Sequence, residues 1–307
     1  MNKLVVGLGE ILWDMLPEGK RLGGAPANFA YHVAQAGLDS CVVSAVGKDR
    51  AGDEILQMLE SKKLTFQISR VPYPTGSVGV ELGPRGIPCY QICEQVAWDY
   101  IPFTAELEAL ASHTTAVCFG SLAQRHAVSR DTINRFLEAM PEGEGIYKIF
   151  DMNLRQNFYT TEILQHSLHK CNILKLNDEE LLIVKRLFGY SPLDTQETCR
   201  ALISDYGLKI LILTCGTEGS HIYTSTEESF YPTPRVEVRD TVGAGDSFTA
   251  AFCAALLQGD SLSTAHRKAV GTSAYVCTCD GAMPDLKPDL KAASDFAHTE
   301  RKSKIFY

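Results

Sequence analysis

Residues 240–248 hold the side chains best suited to chemistry in this chain, and they read Asp-Thr-Val-Gly-Ala-Gly-Asp-Ser-Phe. Gly243 and Gly245 let the backbone turn, so that N–H groups converge where the following apolar stretch predicts a helix start. Exposed N–H groups and the helix dipole favour an anion there. Asp246 would stand beside that anion, where a carboxylate can take a proton from an attacking hydroxyl. The N–H groups of Ala244 and Gly245 would stabilise the transferred charge.

The same segment has a structural interpretation. Asp240 or Thr241 could cap an ordinary helix, and the glycines would then only form its entry turn. The spacing alone leaves both interpretations open.

Another glycine turn, Gly23-Gly24, is the first along the chain and leads into a helix, with Pro26 suited to the first helical position. Backbone without side chains can approach a ligand closely here. Asp14 follows the first predicted strand, and an acid in that place can accept hydrogen bonds from the vicinal hydroxyls of a sugar. In the structural alternative, the glycines are plain turn residues, Asn28 is a surface residue and Asp14 is solvated.

Size and charge limit the classes of function. A chain of 307 residues with 45% hydrophobic content can build one large core, so residues 1–307 are expected to form a single domain. A formal charge of -8 disfavours sequence-independent binding to nucleic acid or an anionic membrane. No apolar stretch approaches bilayer length, and glycines and an acid interrupt the N-terminal run too early for a signal peptide. Together with ten scattered cysteines, expected to be reduced, these features predict a cytoplasmic protein.

Apolar β-type runs alternate with helical patterns along the chain, which predicts a three-layer α/β/α fold with a mostly parallel central sheet. Strands are predicted at residues 3–9, 41–46, 116–119, 146–150, 173–176 and 209–214. Helices are predicted at residues 26–37, 51–61, 129–140, 160–170, 177–188, 195–206, 244–258 and 261–277.

Residues 64–100 break this alternation and, with residues 11–22, predict a small β-sheet outside the main sheet. Short strand-like runs separated by Pro- and Gly-rich turns lie around Phe66–Ile68, Ser77–Leu82 and Cys89–Cys93. Because so small a sheet is not stable alone, we expect it to pack as a lid over a substrate cleft and to form a homodimer surface. Arg85 and Tyr90 would reach the substrate from this lid.

The two glycine turns and three further motifs make the chain resemble the ribokinase-like (PfkB) carbohydrate kinases over nearly its whole length. The matching segments are Gly23 to Asn28, the D-x-N-x-R of Asp151 to Arg155, the N-x-x-E of Asn177 to Glu180, the T-x-G-x-x-G of Thr214 to Gly219, and Asp240 to Phe248. Within the family, Gly9-Glu10 followed by Asp14 and the first glycine turn is most similar to fructokinases. The resemblance implies a ribokinase-like fold.

Further roles follow from the resemblance, each beside a structural alternative. Glu180, with Asn177, would hold the water shell of Mg²⁺ near the nucleotide, although Asn177 is also a good helix cap. Arg155 would reach the transferred phosphoryl or the sugar, unless it is a surface residue paired with Asp151.

At the strand end near residue 214, Thr214, Gly216 and Gly219 would form the nucleotide loop, although a simple β-turn has the same pattern. Asp240 is a candidate ligand for a monovalent cation such as K⁺, together with the Val242 carbonyl and the turn at residues 277–281. Equally, Asp240 could be only a helix-entry residue.

Other chemistries have weaker signals. The chain has no P-loop motif, and Gly7-Leu8-Gly9-Glu10 lacks the third glycine of a dinucleotide fingerprint. The cluster of His166, His169 and Cys171 favours a helix end over a zinc site. Gln124 and Arg125 are sugar-side candidates by position alone, and a plain surface loop is the favoured interpretation.

The sequence therefore predicts an ATP- and Mg²⁺-dependent kinase that acts on a small-molecule sugar, most closely fructose, which would become fructose 6-phosphate. Other acceptors, such as ribose, 2-keto-3-deoxygluconate or a nucleoside, stay open because lid side chains set the pocket shape. A non-catalytic sugar or nucleotide sensor on the same fold is the alternative of another class.

Overall fold

The structure, a computed structural model, describes residues 3–16, 19–82 and 88–287. In chain order the strands are β1 Leu4–Leu8, β2 Leu12–Leu16, β3 Gly19–Gly23, β4 Asp39–Gly47, β5 Thr65–Val71, β6 Gly76–Leu82, β7 Pro88–Ile92, β8 Thr114–Phe119, β9 Tyr147–Asp151, β10 Ile173–Asn177, β11 Ile210–Thr214, β12 Ser220–Tyr223 and β13 Glu228–Tyr231. The helices are α1 Ala25–Gln35, α2 Arg50–Ser61, α3 Ala105–Ser112, α4 Ala127–Ala139, α5 Thr161–Lys170, α6 Asp178–Leu187, α7 Thr195–Tyr206, α8 Ala244–Gln258 and α9 Leu262–Val276. Short 3₁₀ turns lie at Ala97–Tyr100 and Leu122–Gln124.

The main sheet of the described chain has the strand order β13-β12-β11-β10-β9-β8-β1-β4-β5. All neighbouring pairs from β11 to β5 are parallel, whereas β12 and β13 extend one edge with antiparallel pairs. Helices connect the parallel strands, as a parallel crossover requires. The predicted mostly parallel α/β sheet is confirmed.

Successive residues of the central strands face opposite sides of the main sheet, as strand geometry requires. Val5 belongs to the apolar layer that contains Phe29 of α1 and Phe252 of α8, whereas Val6 belongs to the layer that contains Phe136 of α4. Helices α1, α2, α8 and α9 therefore cover one face and α3 to α7 the other, which gives three layers. Among the helices in the described ranges, none has both the length and the apolar character needed to cross a bilayer.

The second sheet has the strand order β3-β2-β6-β7. Strand β2 pairs with β3 in an antiparallel and with β6 in a parallel arrangement, and β6 pairs with β7 in an antiparallel arrangement. Because β2 begins only four residues after β1 ends and β3 leads directly into α1, the small sheet is anchored at the carboxyl end of the central strand β1.

The prediction for Phe66–Ile68 was wrong. These residues were expected in the small sheet, but they lie in β5, which pairs with β4 in parallel over the whole stretch Thr65–Val71 at the edge of the main sheet. An edge strand is covered less completely than a central one, so its polar and apolar residues alternate. That alternation is also the pattern of a hairpin strand.

Three elements were absent from the sequence prediction: α3, β12 and β13. The two strands have only four residues each, β12 includes the polar Ser220 and His221, and β13 exposes Phe230, so neither has the continuous apolar run of a buried strand. The predicted helix end at His166, His169 and Cys171 is present: α5 ends at Lys170 with Cys171 as its C-cap, and the His169 ring packs against Tyr206. The helix-end interpretation of this cluster is confirmed.

Candidate active site

The carboxyl ends of the parallel strands and the start of α8 bring the predicted site residues to one edge of the main sheet. Glu10 follows β1, and Asp151, Asn177 and Thr214 end β9, β10 and β11. In open α/β sheets, ligands bind at this edge. The first turn of α8 carries Asp246 into the same region.

The turn that begins α8 has the conformation that an anion site requires. Gly243, the N-cap, has φ 78°, and a side chain there would come within 2.6 Å of the Ala282 Cβ atom. The N–H groups of Gly245 and Asp246 have no acceptor among the described residues. The N–H of Ala244, which was expected to be free, donates instead to the Thr241 carbonyl at 3.2 Å. That prediction was wrong because Ala244 closes the turn, and the free donors begin one residue later.

Asp246 and Asn28, which are 218 residues apart, are joined by a hydrogen bond. The Asn28 side-chain amide donates to the Asp246 Oδ2 atom at 2.8 Å. The pKa of Asp246 is raised to about 6, by burial first and by the Asp151 charge second, against the opposing effects of the Asn28 hydrogen bond and the cations Lys175 and Arg155. At neutral pH Asp246 is therefore largely ionised and yet basic enough to accept a proton. Asn28 is buried, so its predicted alternative as a surface residue is wrong.

A buried lysine lies against the turn at residues 243–246 that begins α8, which we call the anion turn. The Lys175 ammonium donates to the Asp151 Oδ1 atom at 3.0 Å, and Thr249 of α8 donates to the Asp151 Oδ2 atom at 3.1 Å. A side chain on Gly245 would come within 3.1 Å of the Lys175 Nζ atom. Burial lowers the pKa of Lys175, but the carboxylates around it, Asp151 first, outweigh burial and raise the pKa above its ordinary value. Lys175 is therefore a fixed positive charge beside the N–H groups of the turn.

Glu10 is the second buried acid of the site. Its side chain is 3% exposed and its Oε2 atom has no hydrogen-bond partner among the described residues. Burial raises the pKa of Glu10 to about 7, and the charge of Asp246 adds to this shift. The backbone N–H of Ala25 opposes the shift by donating to the Glu10 carboxyl, so Glu10 also fixes the start of α1.

The first glycine turn is shaped by the residues around it. Gly24 has φ 116°, and a side chain there would contact the Glu10 carbonyl. A side chain on Gly23 would contact the Asp14 carboxylate. Burial raises the pKa of Asp14 to about 6, and Arg155 partly opposes this shift. Asp14 is half-buried, so the alternative of a fully solvated acid does not hold.

Arg155 lies in the loop after β9, with Asn153 in the left-handed region at φ 44°. Its positive charge lowers the pKa of Glu10, Asp14 and Asp246, which places the guanidinium near all three carboxyls. The side chain is exposed, and its Nη1 atom donates to the Leu154 carbonyl at 3.1 Å. The alternative in which Arg155 pairs with Asp151 is wrong, because Lys175 takes that place.

Asn177 and Glu180 form a capping box at the start of α6. The Asn177 Oδ1 atom accepts from the Glu180 N–H at 2.7 Å, and the Glu180 Oε2 atom accepts from the Asn177 N–H at 2.8 Å. The Leu154 N–H donates to the other Glu180 oxygen at 2.8 Å, which ties the Arg155 loop to α6. Burial raises the pKa of Glu180, and Lys175 opposes the shift.

The carboxylates of Glu180 and Asp151 fit a magnesium ion that is held through water molecules. Glu180 and Asp151 are buried carboxylates, and each oxygen that accepts a protein donor has a further lone pair for a water molecule. Within the described ranges, no three potential ligand side chains are close enough together to hold a metal ion directly. Mg²⁺ keeps most of its waters and binds substrate phosphates, so indirect ligands suffice.

The strand-end loop at Thr214 is a tight hairpin turn between β11 and β12. The Cys215 N–H donates to the Gly219 carbonyl at 2.8 Å, and Gly216 has φ 52°. Thr214 lies beside Asn177 in the register of β10 and β11. The turn geometry agrees with the interpretation as a simple β-turn. Because the turn lies beside the start of α6, it is also compatible with a role in nucleotide binding.

Asp240 does not fit a monovalent-cation site. Its Oδ2 atom accepts from the Arg21 Nη1 atom at 3.2 Å and from the Gly281 N–H at 3.1 Å, and its Oδ1 atom accepts from the Val242 N–H at 3.0 Å. The Arg21 guanidinium is therefore bonded to the carboxylate that a K⁺ ion would need as a ligand.

Gln124 and Arg125 are not part of a plain surface loop, so that interpretation is wrong. Gln124 is buried and donates to the Gly120 carbonyl and to Ser167, both at 2.9 Å. The Arg125 side chain is 7% exposed and forms two hydrogen bonds with Asp99, at 2.8 and 2.9 Å. Arg85 lies outside the described residues, as does the side chain of Tyr90.

Sequence reasoning missed Glu10, Lys175 and Arg21 as site residues. Lys175 had a usable signal, since it is the one charge inside the apolar run Ile173-Leu174-Lys175-Leu176. Glu10 was noted only because the Gly9-Glu10 pair is similar to fructokinases, and no role was predicted for its side chain. Arg21 had no local signal, because its partner Asp240 is 219 residues away.

An α/β sheet whose strand ends carry buried acids beside a helix start with unbonded N–H groups is typical of an enzyme that handles phosphates. The family model described as "pfkB family carbohydrate kinase" matches residues 18–289, and the chain belongs to this family. It is similar to an ATP-dependent 6-phosphofructokinase from Thermoanaerobacterium thermosaccharolyticum, with 28% identity over 303 residues, 93% of this chain and 91% of that protein. A fructokinase from Escherichia coli is 28% identical over 305 residues, 93% of this chain and 97% of that protein.

The fold is also that of solved sugar kinases. The crystal structure of fructokinase from Vibrio cholerae O395 with fructose, ADP and calcium ion bound superimposes with a TM-score of 0.79 at 24% identity, covering 95% of this chain and 98% of that one. The expected ribokinase-like fold and the PfkB resemblance are confirmed. The protein is a PfkB-family carbohydrate kinase.

Proposed function

We propose that this carbohydrate kinase transfers the γ-phosphoryl group of ATP to the primary hydroxyl of a ketose, and that it converts fructose to fructose 6-phosphate. The observation that carries the proposal is the 2.8 Å hydrogen bond between Asn28 and Asp246. It joins the first glycine turn to the anion turn, so a sugar held at one lies beside the base of the other.

In the proposed reaction, the sugar hydroxyl gives its proton to Asp246 while its oxygen attacks the γ-phosphorus of ATP. A new P–O bond forms, the bond from the γ-phosphorus to its bridging oxygen breaks, and the electron pair leaves with ADP. The N–H groups of Gly245 and Asp246 would stabilise the charge on the phosphoryl oxygens, a type of donor worth about 3 kcal/mol each. Lys175, fixed by Asp151, adds a positive charge beside them.

The remaining residues of the site divide between the sugar and the nucleotide. Asp14, Gly24 and Asn28 would orient the sugar hydroxyls, and Arg155 would reach the phosphoryl group or the sugar. Thr214, Gly216 and Gly219 would line the nucleotide loop near Asn177. Mg²⁺, which would enter with ATP and be held through water by Glu180 and Asp151, would neutralise phosphate charge. The small sheet would cover the cleft and exclude water.

A coupled assay of ADP release tests the proposal with a panel of acceptors: fructose, ribose, 2-keto-3-deoxygluconate, adenosine and fructose 6-phosphate. We expect the highest kcat/KM with fructose. A higher value with another acceptor would replace fructose as the substrate. Binding of fructose in a calorimeter without ADP release from any acceptor would contradict the kinase function itself.

Fructose 6-phosphate is the second candidate acceptor, favoured by the similarity to a 6-phosphofructokinase. A second phosphate would need additional cations, and the lining of a cavity of about 310 Å³ includes Arg125, His126 and Arg130 together with the acids Glu94 and Asp99. Arg130 is the variant of choice, because Arg125 is committed to Asp99. If this acceptor is used, Arg130→Met would raise KM for fructose 6-phosphate about tenfold, the value of one charge-assisted contact, and leave fructose kinetics unchanged.

Two further proposals concern the setting of the enzyme. The nine cysteines whose side chains the structure describes are free thiols, which supports a reducing, cytoplasmic environment. A homodimer through the small sheet would cover the exposed Met15 of β2, and light scattering of the purified protein tests that assembly.

A further inference from the structure

Asp240 precedes the anion turn by three residues and already has a positive partner supplied by the protein. The Arg21 Nη1 atom lies 3.2 Å from the Asp240 Oδ2 atom, and the two side chains are 36% and 21% exposed. Two backbone N–H groups, those of Val242 and Gly281, complete the hydrogen bonding of the carboxylate at 3.0 and 3.1 Å. The carboxylate is therefore held on both oxygens.

One neighbouring carbonyl of the proposed cation site, that of Cys277, is also hydrogen-bonded. The Cys277 carbonyl accepts from the N–H groups of Arg239 and Asp240 at 2.9 and 3.4 Å. A monovalent cation at this place would have to approach a guanidinium of like charge and compete with these amides for oxygen ligands. Both effects disfavour the ion.

Arg21 also lies on the sugar side of the site. It is in β3, two residues before Gly23, and it pairs directly with Asp14 in the antiparallel register of β2 and β3. Directly opposed residues of such a pair present their side chains on the same face. The ion pair with Asp240 therefore connects the strand pair that carries Asp14 to the loop that enters α8.

We infer that the Arg21 guanidinium takes the place of a monovalent cation in this enzyme and that it fastens the small sheet to the anion turn. This inference rests on the proposed kinase function. Its consequence is an enzyme that needs no K⁺ and in which the sugar-side strands help to hold the phosphate-side turn. Removal of the guanidinium leaves Asp240 unneutralised, and a small cation from solution can then replace it.

The experiment compares Arg21→Met with the native enzyme in 100 mM KCl and in 100 mM tetramethylammonium chloride, at equal ionic strength. The matched control is Lys20→Met. Lys20 is the neighbouring cation on β3, but it pairs with Glu54 of α2 instead of Asp240. We expect native and control kcat/KM to change less than twofold between the salts. For Arg21→Met we expect kcat/KM in tetramethylammonium chloride to be about tenfold below the native value, a factor within the usual range of coupling between sites. In KCl, kcat/KM of this variant should recover.

Thermal unfolding provides a readout that does not need activity. KCl should raise the Tm of Arg21→Met above its value in tetramethylammonium chloride, while the Tm of the native protein and of Lys20→Met is the same in both salts. If no acceptor releases ADP, the proposed function fails, and this Tm comparison still decides the inference. Should Arg21→Met not fold, Asp240→Asn replaces it, and that variant should leave the native enzyme's indifference to K⁺ intact.

Two outcomes would overturn the inference. One is a native enzyme that KCl activates more than fivefold, since Arg21 would then not substitute for the ion. The other is an Arg21→Met variant with native kcat/KM in both salts, since the guanidinium would then contribute nothing to the turn.

Discussion

Asp246→Asn is the most direct test of the site, because it removes the proposed base and keeps the shape of the side chain. The asparagine oxygen can still accept the hydrogen bond that Asn28 donates to Asp246 at 2.8 Å. The N-cap Gly243 and the free N–H groups of the first turn of α8 are unaffected. The change therefore separates proton transfer from the binding of sugar and phosphate.

The expected magnitude follows from the environment of the acid. With a pKa of about 6, Asp246 is roughly nine-tenths ionised or more at pH 7.5, so nearly all native molecules carry the base. A positioned base contributes about 10² to 10⁴ in rate, which corresponds to about 3 to 5 kcal/mol of barrier. We expect kcat to fall by that factor, while KM for the sugar changes less than about threefold because uniform binding contacts are kept.

The assay is steady-state ADP release with fructose at pH 7.5, accompanied by calorimetric measurement of sugar binding. Asp53→Asn is the matched control, since Asp53 is also an acid in the first turn of a helix, but in α2 and paired with Arg70. The control should have native kcat. A kcat for Asp246→Asn within fivefold of the native value would refute the assignment of Asp246 as the base.

Three other predictions concern the buried charges. Since Asp246 must be ionised to act, log kcat/KM should fall with unit slope as pH drops below about 6, and a flat profile from pH 7 to pH 5 would contradict this. The pKa of Glu10 is raised from 4.5 to about 7 in the fold, so its contribution to stability is present below pH 4.5 and lost as pH rises through 7. Glu10→Gln should therefore stabilise the protein in urea unfolding by up to about 3 kcal/mol at pH 8 and by little at pH 4.5, whereas equal gains would exclude ionisation as the cause. Lys175→Met leaves Asp151 buried without its cation and should cost about 3 to 5 kcal/mol, while the double variant with Asp151→Asn should regain much of the Tm but not ADP release.

The sequence predicted the parts of the fold that repeat. Central strands such as Ile173–Asn177 are apolar runs between helical patterns, and that alternation is sufficient to predict a parallel sheet. The glycine turns could also be found, because Gly24 and Gly243 adopt positive φ values that other residues rarely adopt. The order of the five motifs along the chain then predicted the PfkB family.

What the sequence could not predict depends on contacts between distant segments. The unbonded N–H groups of the anion turn begin one residue later than predicted, because the Ala244 N–H closes the turn by donating to the Thr241 carbonyl. Sequence composition does not encode that geometry. The partner of Asp151 is Lys175 rather than Arg155, since the register of β9 and β10 sets those two residues directly side by side. An edge strand such as β5 is misassigned for the same reason, because its pattern depends on what covers it.

The charges around α8 are not balanced by the protein alone, and this imbalance has a functional meaning. Asp151, Glu180 and Asp246 lie around one buried cation, the Lys175 ammonium, and all three carboxylates raise its pKa, while the other cation that acts on Asp246, Arg155, is exposed. An excess of buried negative charge costs stability, so it is retained where a ligand supplies the compensating charge. The free N–H groups of the anion turn require the opposite, an anion. A nucleotide triphosphate with its metal ion satisfies both requirements at once, whereas either component alone leaves one of them unmet. On the proposed function, we therefore expect the site to prefer the metal–nucleotide complex over either component alone.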